Sequence, residues 1–268
     1  MSGTLFWDVD TQYDFMRADG KLYVPGAESI VPVLKALTDH AHRQGIRIVA
    51  SADDHVVGHR ELSDRPDFLT TFPDHCMRGT PGQLKIAATA LRDPLVIGPD
   101  ADPGVGARVR AHRGDILLLK HWFDVFTNLN VPAVIDALAP DRIVLYGVAT
   151  DVCDKHAIEG LRSRYPGIGL WFVTDAARAI HPERVDGWLL AWRASGVRLT
   201  DSAAVLGADD SCRHRGLQAE RAADSQHPIT YLHSIRISQP RRRQIFPGIN
   251  LQNSQVGVVV HTHYLGGV

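Results

Sequence analysis

Cysteine is scarce in this chain: 3 in 268 residues, an odd number with no close pairing pattern. That excludes a disulfide framework and reads as reduced thiols in a cytosol. An excess of one charge is also missing. Lys and Arg number 29 and Asp and Glu 30, for a formal net charge of −1. No overall field therefore draws the chain to nucleic acid or to an anionic membrane. Long apolar runs are absent, and none could cross a bilayer. The opening MSGTLFWDVD places acids where a signal peptide needs an apolar run. The expected location is cytoplasmic. No internal repeat is visible. What is present is ordinary globular material, 44% hydrophobic and 22% charged, which excludes wholesale disorder.

The first two-thirds alternates strand-like and helix-like segments. Strands are expected at 4–9 (TLFWDV), 46–52 (IRIVASA), 94–98 (PLVIG), 115–119 (DILLL), 142–148 (RIVLYGV) and 168–173 (IGLWFV). Helical spacing of apolar residues marks 28–43, stopped by Gly45. Further helices are expected at 131–138, with Pro132 in the first turn, and at 152–164 and 182–195. Apolar strands separated by helices predict a parallel sheet covered on both faces, an α/β fold. From about residue 208 the rhythm stops, and a basic cluster, Arg241-Arg242-Arg243, follows. The expected organisation is one α/β domain over 1–207 and an appendage over 208–268, poorly ordered over much of its length.

Function in such sheets sits beyond the carboxyl ends of the strands. Asp8 and Asp10 end the first strand, Asp53 and His55 follow the second, Lys120 ends DILLL, and Cys153 follows RIVLYGV. Four strands thus deliver reactive side chains to one edge. Cys153 lies where a strand turns into a helix. The helix dipole and a nearby lysine favour thiolate, so a pKa below that of an ordinary thiol is expected. The amides of that turn can hold an oxyanion. A carboxylate at the end of the first strand can act as base toward the thiol, and spacing alone leaves Asp8 and Asp10 both open. Lys120 taken by itself reads first as a solvated lysine capping the strand; near a thiol it would lower the thiol pKa and pair with Asp10. Cys76 follows no strand and opens no helix, so it is expected to be structural. The loop SADDHVVGH brings Asp53, His55 and His59, and FPDHC brings His75. One carboxylate and three imidazoles suit zinc, iron(II) or manganese, with Asp54 and Glu61 as competing ligands.

The segments DTQYDF, SADDHVVGH, FPDHCMRGTPG, the lysine of LLLKHWFDVF, and GVATDVC resemble the nicotinamidase branch of the isochorismatase-like cysteine hydrolases, in order and spacing, over residues 4 to about 205. The resemblance implies a three-layer α/β/α fold with a central six-stranded parallel sheet. It implies Asp10, and not Asp8, as base in a triad with Lys120 and Cys153. It implies a cis peptide between Val148 and Ala149, with the amides of Ala149 and Cys153 as oxyanion hole. Metal ligands carry over as Asp53, His55 and His75, with His59 as a more variable fourth. Phe15 and Phe72 carry over as ring-binding aromatics, Phe72 standing where many relatives have Trp.

The implied activity is hydrolysis of nicotinamide to nicotinate and ammonia through a thioester, with one divalent metal ion (zinc, iron or manganese) orienting the substrate. The alternatives are a sibling amidase acting on an N-carbamoyl or ureido compound, an isochorismatase-type hydrolase, and a non-catalytic binding relative. The expected partner is the small amide; nucleic acid and membrane are not expected, and a homo-oligomer is compatible. Every candidate catalytic residue precedes 155, so a chain ending at Gly207 should retain turnover. A truncated chain that folds by circular dichroism but loses ammonia release would show that the appendage contributes to the site.

Overall fold

The computed structural model describes residues 3–207, and the appendage expected at 208–268 lies outside them. Seven strands form one sheet: β1 (Thr4–Val9), β2 (Arg47–Asp53), β3 (Leu95–Ile97), β4 (Ile116–Lys120), β5 (Arg142–Val148), β6 (Gly169–Arg178) and β7 (Arg198–Thr200). Their spatial order is β3-β4-β2-β1-β5-β6-β7, and every pairing is parallel. Among the described residues six α-helices accompany the sheet: α1 (Tyr13–Met16), α2 (Ala27–Gln44), α3 (Val105–Ala111), α4 (Val131–Leu138), α5 (Cys153–Arg164) and α6 (Val185–Ala194). Among the described residues no helix is long and apolar enough to cross a membrane.

The burial pattern explains the order. β1, β2 and β5 are buried at every position but the first, as strands covered on both faces must be. Those runs take the centre of the sheet. The short β3 and β7 are partly exposed and take its edges. The count is seven rather than the six expected, because β7 is a three-residue edge strand, RLT, too short and polar to stand out in sequence. The strand expected at 168–173 continues to Arg178, with a register irregularity against β5 between Leu145 and Gly147. The helix expected from Pro182 begins with a 3-10 turn at Pro182–Arg184. α3 had no expectation at all. Gly45 closes α2 in the left-handed region at φ 68°, the stop anticipated from its sequence.

The central strands leave the sheet at one edge, and β4, β2, β1 and β5 are neighbours there. Gly147 is where this edge is tightest. Its φ is +137°, and a β-carbon built on it would stand 2.1 Å from the carbonyl oxygen of Val9. Backbone cannot retreat as a side-chain tip can. Gly147→Ala should therefore cost about 3 kcal/mol or more, read as a lower urea midpoint at unchanged slope; an unchanged midpoint would contradict the packing described.

Candidate active site

Parallel register brings the reactive groups together. Asp53 and Lys120 are directly opposed residues at the ends of β2 and β4, so their side chains leave the sheet on the same face. Asp10 follows β1, in the left-handed region at φ 47°, and accepts a hydrogen bond from Ser51 Oγ at 2.6 Å. Cys153 opens α5 just past β5. Lys120 Nζ lies 2.8 Å from Asp10 Oδ2, donates to Asp53 Oδ1, and stands 3.7 Å from Cys153 Sγ. One oxygen each of Asp10 and Asp53 and the sulfur of Cys153 lie within 4.8 Å of one another. All four side chains are buried. Asp8 is elsewhere: its Oδ2 takes Lys85 Nζ at 2.8 Å and the Thr11 hydroxyl at 3.1 Å. The choice between the two acids that spacing left open is thus a matter of which way the chain turns after Val9.

The two carboxylates that share Lys120 are driven apart electrostatically. At Asp10, burial raises the pKa above the ordinary value, against the pull of Lys120. At Asp53, burial is outweighed by Lys120, His75 and His55, which hold the carboxyl well below the usual range. Lys120 is raised: its two carboxylates overcome the burial that would strip its proton. Asp10 is therefore the group that can exchange a proton, and Asp53 the fixed negative charge. Cys153 departs from expectation. Burial pushes the thiol well above its ordinary value, Lys120 opposes this, and Asp10 and Asp53 add to it. Full burial beside two carboxylates outweighs the pull of Lys120.

The peptide between Val148 and Ala149 is cis. In the turn that follows, the amide of Thr150 donates to Arg178 O, and those of Val152 and Asp154 donate to Ala149 O. Cys153 borders a small cavity whose wall includes Phe15, Phe72, Leu22, Val24, Ile180 and His75. The Phe15 and Phe72 rings lie 5.3 Å and 6.2 Å from that of His75. The apolar residues Leu22, Val24 and Ile180 were not anticipated; single aliphatics in loops carry no sequence signal.

A second cluster shares Asp53. One atom each of Asp53, His55, Glu61 and His75 falls within 4.8 Å of the others. Asp53 Oδ2, His55 Nε2, Glu61 Oε2 and His75 Nε2 are all buried without a hydrogen-bond partner. Four converging orphaned ligand atoms are costly unless something binds them, and two imidazoles with two carboxylates suit a borderline divalent ion. His75 Nδ1 is 2.7 Å from the Pro73 carbonyl, which can only accept, so Nε2 is the ring nitrogen left facing the cluster. Burial holds His55 down to about 3, in its neutral ligand form. Burial together with Asp53 lifts Glu61 to about 7. His59, expected as a fourth ligand, stands outside the group. Its Nδ1 is taken up 3.2 Å from His55 Nδ1, and Glu61 occupies the fourth place. Asp54 is also outside, paired with the Arg78 guanidinium at 2.8 Å.

Two motif residues whose role sequence reasoning missed hold this arrangement. Gln12 grips the backbone of Asp53 on both sides: its Oε1 accepts from Asp53 N at 2.7 Å, and its Nε2 donates to Asp53 O at 2.8 Å. The same Nε2 donates to Gln83 O at 2.7 Å. Asp14 Oδ2 accepts from Cys76 N at 2.7 Å, anchoring the loop that carries His75. Both belong to DTQYDF, so the signal was present but its purpose was not.

Residues 5–204 match the isochorismatase domain. The chain belongs to the isochorismatase family. A nicotinamidase of Escherichia coli (strain K12) is 27% identical over 195 residues, covering 66% of this chain and 84% of that one. A probable inactive nicotinamidase of Arabidopsis thaliana is 24% identical over 193 residues, covering 71% and 88%. Among solved structures, this isochorismatase-family chain is similar to a zinc complex of Pyrococcus horikoshii pyrazinamidase, with TM-score 0.58 and 21% identity over 74% of this chain and 99% of that one. It is also similar to an N-carbamoylsarcosine amidase from Thermoplasma acidophilum, with TM-score 0.55 and 22% identity over 75% and 97%. These two likenesses speak to the fold.

The grip of Gln12 on Asp53 is testable. Gln12→Ala should lower zinc affinity roughly 10- to 100-fold, as loss of an outer support of a ligand does. It should destabilise the fold by only about 1–3 kcal/mol. Zinc titration beside a denaturation curve separates the two, and unchanged zinc affinity would remove Gln12 from this role.

Proposed function

We propose that this isochorismatase-family hydrolase is a nicotinamidase, an amidohydrolase that converts nicotinamide to nicotinate and ammonia. The observation that carries the reading is Lys120. Its ammonium lies 2.8 Å from Asp10, touches Asp53 and reaches 3.7 Å to Cys153 Sγ, so one buried cation joins a thiol, a proton carrier and the metal-ligand candidates. The E. coli relative is a nicotinamidase, and Phe15 and Phe72 stand in the wall of the small cavity that Cys153 borders.

The chemistry follows from these groups. The thiol is neutral at rest, and Asp10, with its raised pKa, is the base within reach. Asp10 takes the thiol proton as sulfur attacks the amide carbon. The carbonyl electron pair moves onto oxygen, where the amides of Ala149 and Cys153 hold the oxyanion, each donor contributing about 3–4 kcal/mol. Asp10 returns the proton to nitrogen, the C–N bond breaks and ammonia leaves. Asp10 then deprotonates water, which attacks the thioester, and the sulfur departs and is reprotonated. Lys120 stays charged throughout and keeps the Asp10–Cys153 pair from accumulating net negative charge. Phe15 and Phe72 flank the ring. A divalent ion held by Asp53, His55, Glu61 and His75 would supply a Lewis acid for the pyridine nitrogen, an orienting role. The setting consistent with this activity is cytoplasmic pyridine-nucleotide salvage.

Cys153→Ala should reduce ammonia release from nicotinamide roughly a thousandfold or more, while Cys76→Ala leaves most of it. Asp10→Asn should bind substrate and fail to turn it over. An acyl adduct trapped on Cys76, or full activity in Cys153→Ala, would overturn the mechanism. If the unaltered chain releases ammonia from N-carbamoylsarcosine and not from nicotinamide, the sibling amidase reading replaces this one; no turnover of either would align it with the inactive Arabidopsis relative.

A further inference from the structure

Four histidines form a continuous file from the surface to the buried cluster. The His121 side chain is 33% exposed, and its ring centroid lies 4.3 Å from that of His59. His59 is 5.5 Å from His55, and His55 is 4.7 Å from His75. His55 and His75 are fully buried. The outer end opens into a groove shared by His59, His121, Asp100 and Trp122. This groove is distinct from the cavity at Cys153, whose wall contains neither His59 nor His121.

The reaction has no use for the outer pair. His121 touches neither Cys153 nor the cavity, and His59 is displaced from the ligand group by Glu61. Yet His121 Nε2 points inward: it is shielded from solvent without a hydrogen-bond partner, 3.6 Å from Asp54 Oδ2. A second carboxylate, Asp100, lines the groove, while the cation of Arg60 is drawn onto the Trp122 face at 3.9 Å. Soft nitrogen donors at graded depth suit a borderline divalent ion that must shed its water in stages.

We propose that His121 and His59 are the inward path by which a divalent metal ion reaches the Asp53, His55, Glu61 and His75 centre. The ion first meets the imidazoles of His121 and His59 at the groove, then passes to His55 Nε2 and the buried set. His55 Nδ1 and His59 Nδ1 stand 3.2 Å apart, so the outer pair meets the buried set with no residue between. The path needs both histidines for rate and neither for the final coordination.

This inference rests on the metal centre assigned under the proposed function, and the test separates the two. Full-length protein freed of metal by chelator dialysis is mixed with zinc sulfate, and uptake is followed by stopped flow against a chromogenic zinc indicator. His121→Gln should slow uptake roughly tenfold or more, the scale on which outer supports of metal sites act, while final stoichiometry and affinity stay at the unaltered value. His59→Gln should slow it as well. If both variants load as fast as the unaltered chain, zinc enters elsewhere, through the substrate cavity, and the path is overturned while the centre stands. If the unaltered chain takes up no zinc, centre and path both fall.

Discussion

A single buried ammonium organises this protein. Lys120 lies at the end of a central strand with no exposure to solvent, and an uncompensated charge there would cost several kcal/mol. The fold answers with two carboxylates, Asp10 and Asp53. Removing either acid leaves Lys120 with a single carboxylate partner, and removing the cation leaves two buried acids opposed. The thiol, the metal-ligand candidates and the turns that carry them are built around that trio.

The sharing of Asp53 gives the site its character. One oxygen meets Lys120, and the other faces the imidazoles of His55 and His75 at 3.9 Å and 3.6 Å. A change at the metal cluster is thereby felt by the same lysine that steadies Asp10 and Cys153. Position and charge state are set by different means: Gln12 holds the Asp53 backbone in place, and the neighbouring cation and imidazoles keep its carboxyl ionised. Asp10, with burial as its dominant influence, is left free to carry a proton. The division of labour between two like groups follows from environment, not from residue type.

Much of this was legible in the chain. The central strands are apolar throughout because both their faces are covered, so their positions could be read directly, and residues just past their ends mark the functional edge. Asp53, Lys120 and Cys153 were marked that way, with Asp8 and Asp10 both open until the family resemblance favoured Asp10, and the sheet order β4-β2-β1-β5 explains why Asp10, Asp53, Lys120 and Cys153 meet. The edge strand β7 escaped because three half-exposed residues leave no periodic trace. Glu61, one of the competing candidates, groups with Asp53, His55 and His75 where His59 does not, because both lie on an irregular loop, where spacing says nothing about side-chain direction.

By itself, the sequence determined which side chains are available and at which strand ends they emerge, since hydrophobic periodicity and strand position are local properties. It also carried the motif order that marks the isochorismatase family. Only the tertiary structure decided which acid meets the lysine, which fourth residue joins Asp53, His55 and His75, and that burial raises the cysteine thiol. Each of these depends on distances and burial between segments far apart in the chain, and electrostatic free energies change steeply with both. A helix N-terminus promised a lowered thiol pKa; full burial beside two carboxylates reversed the sign.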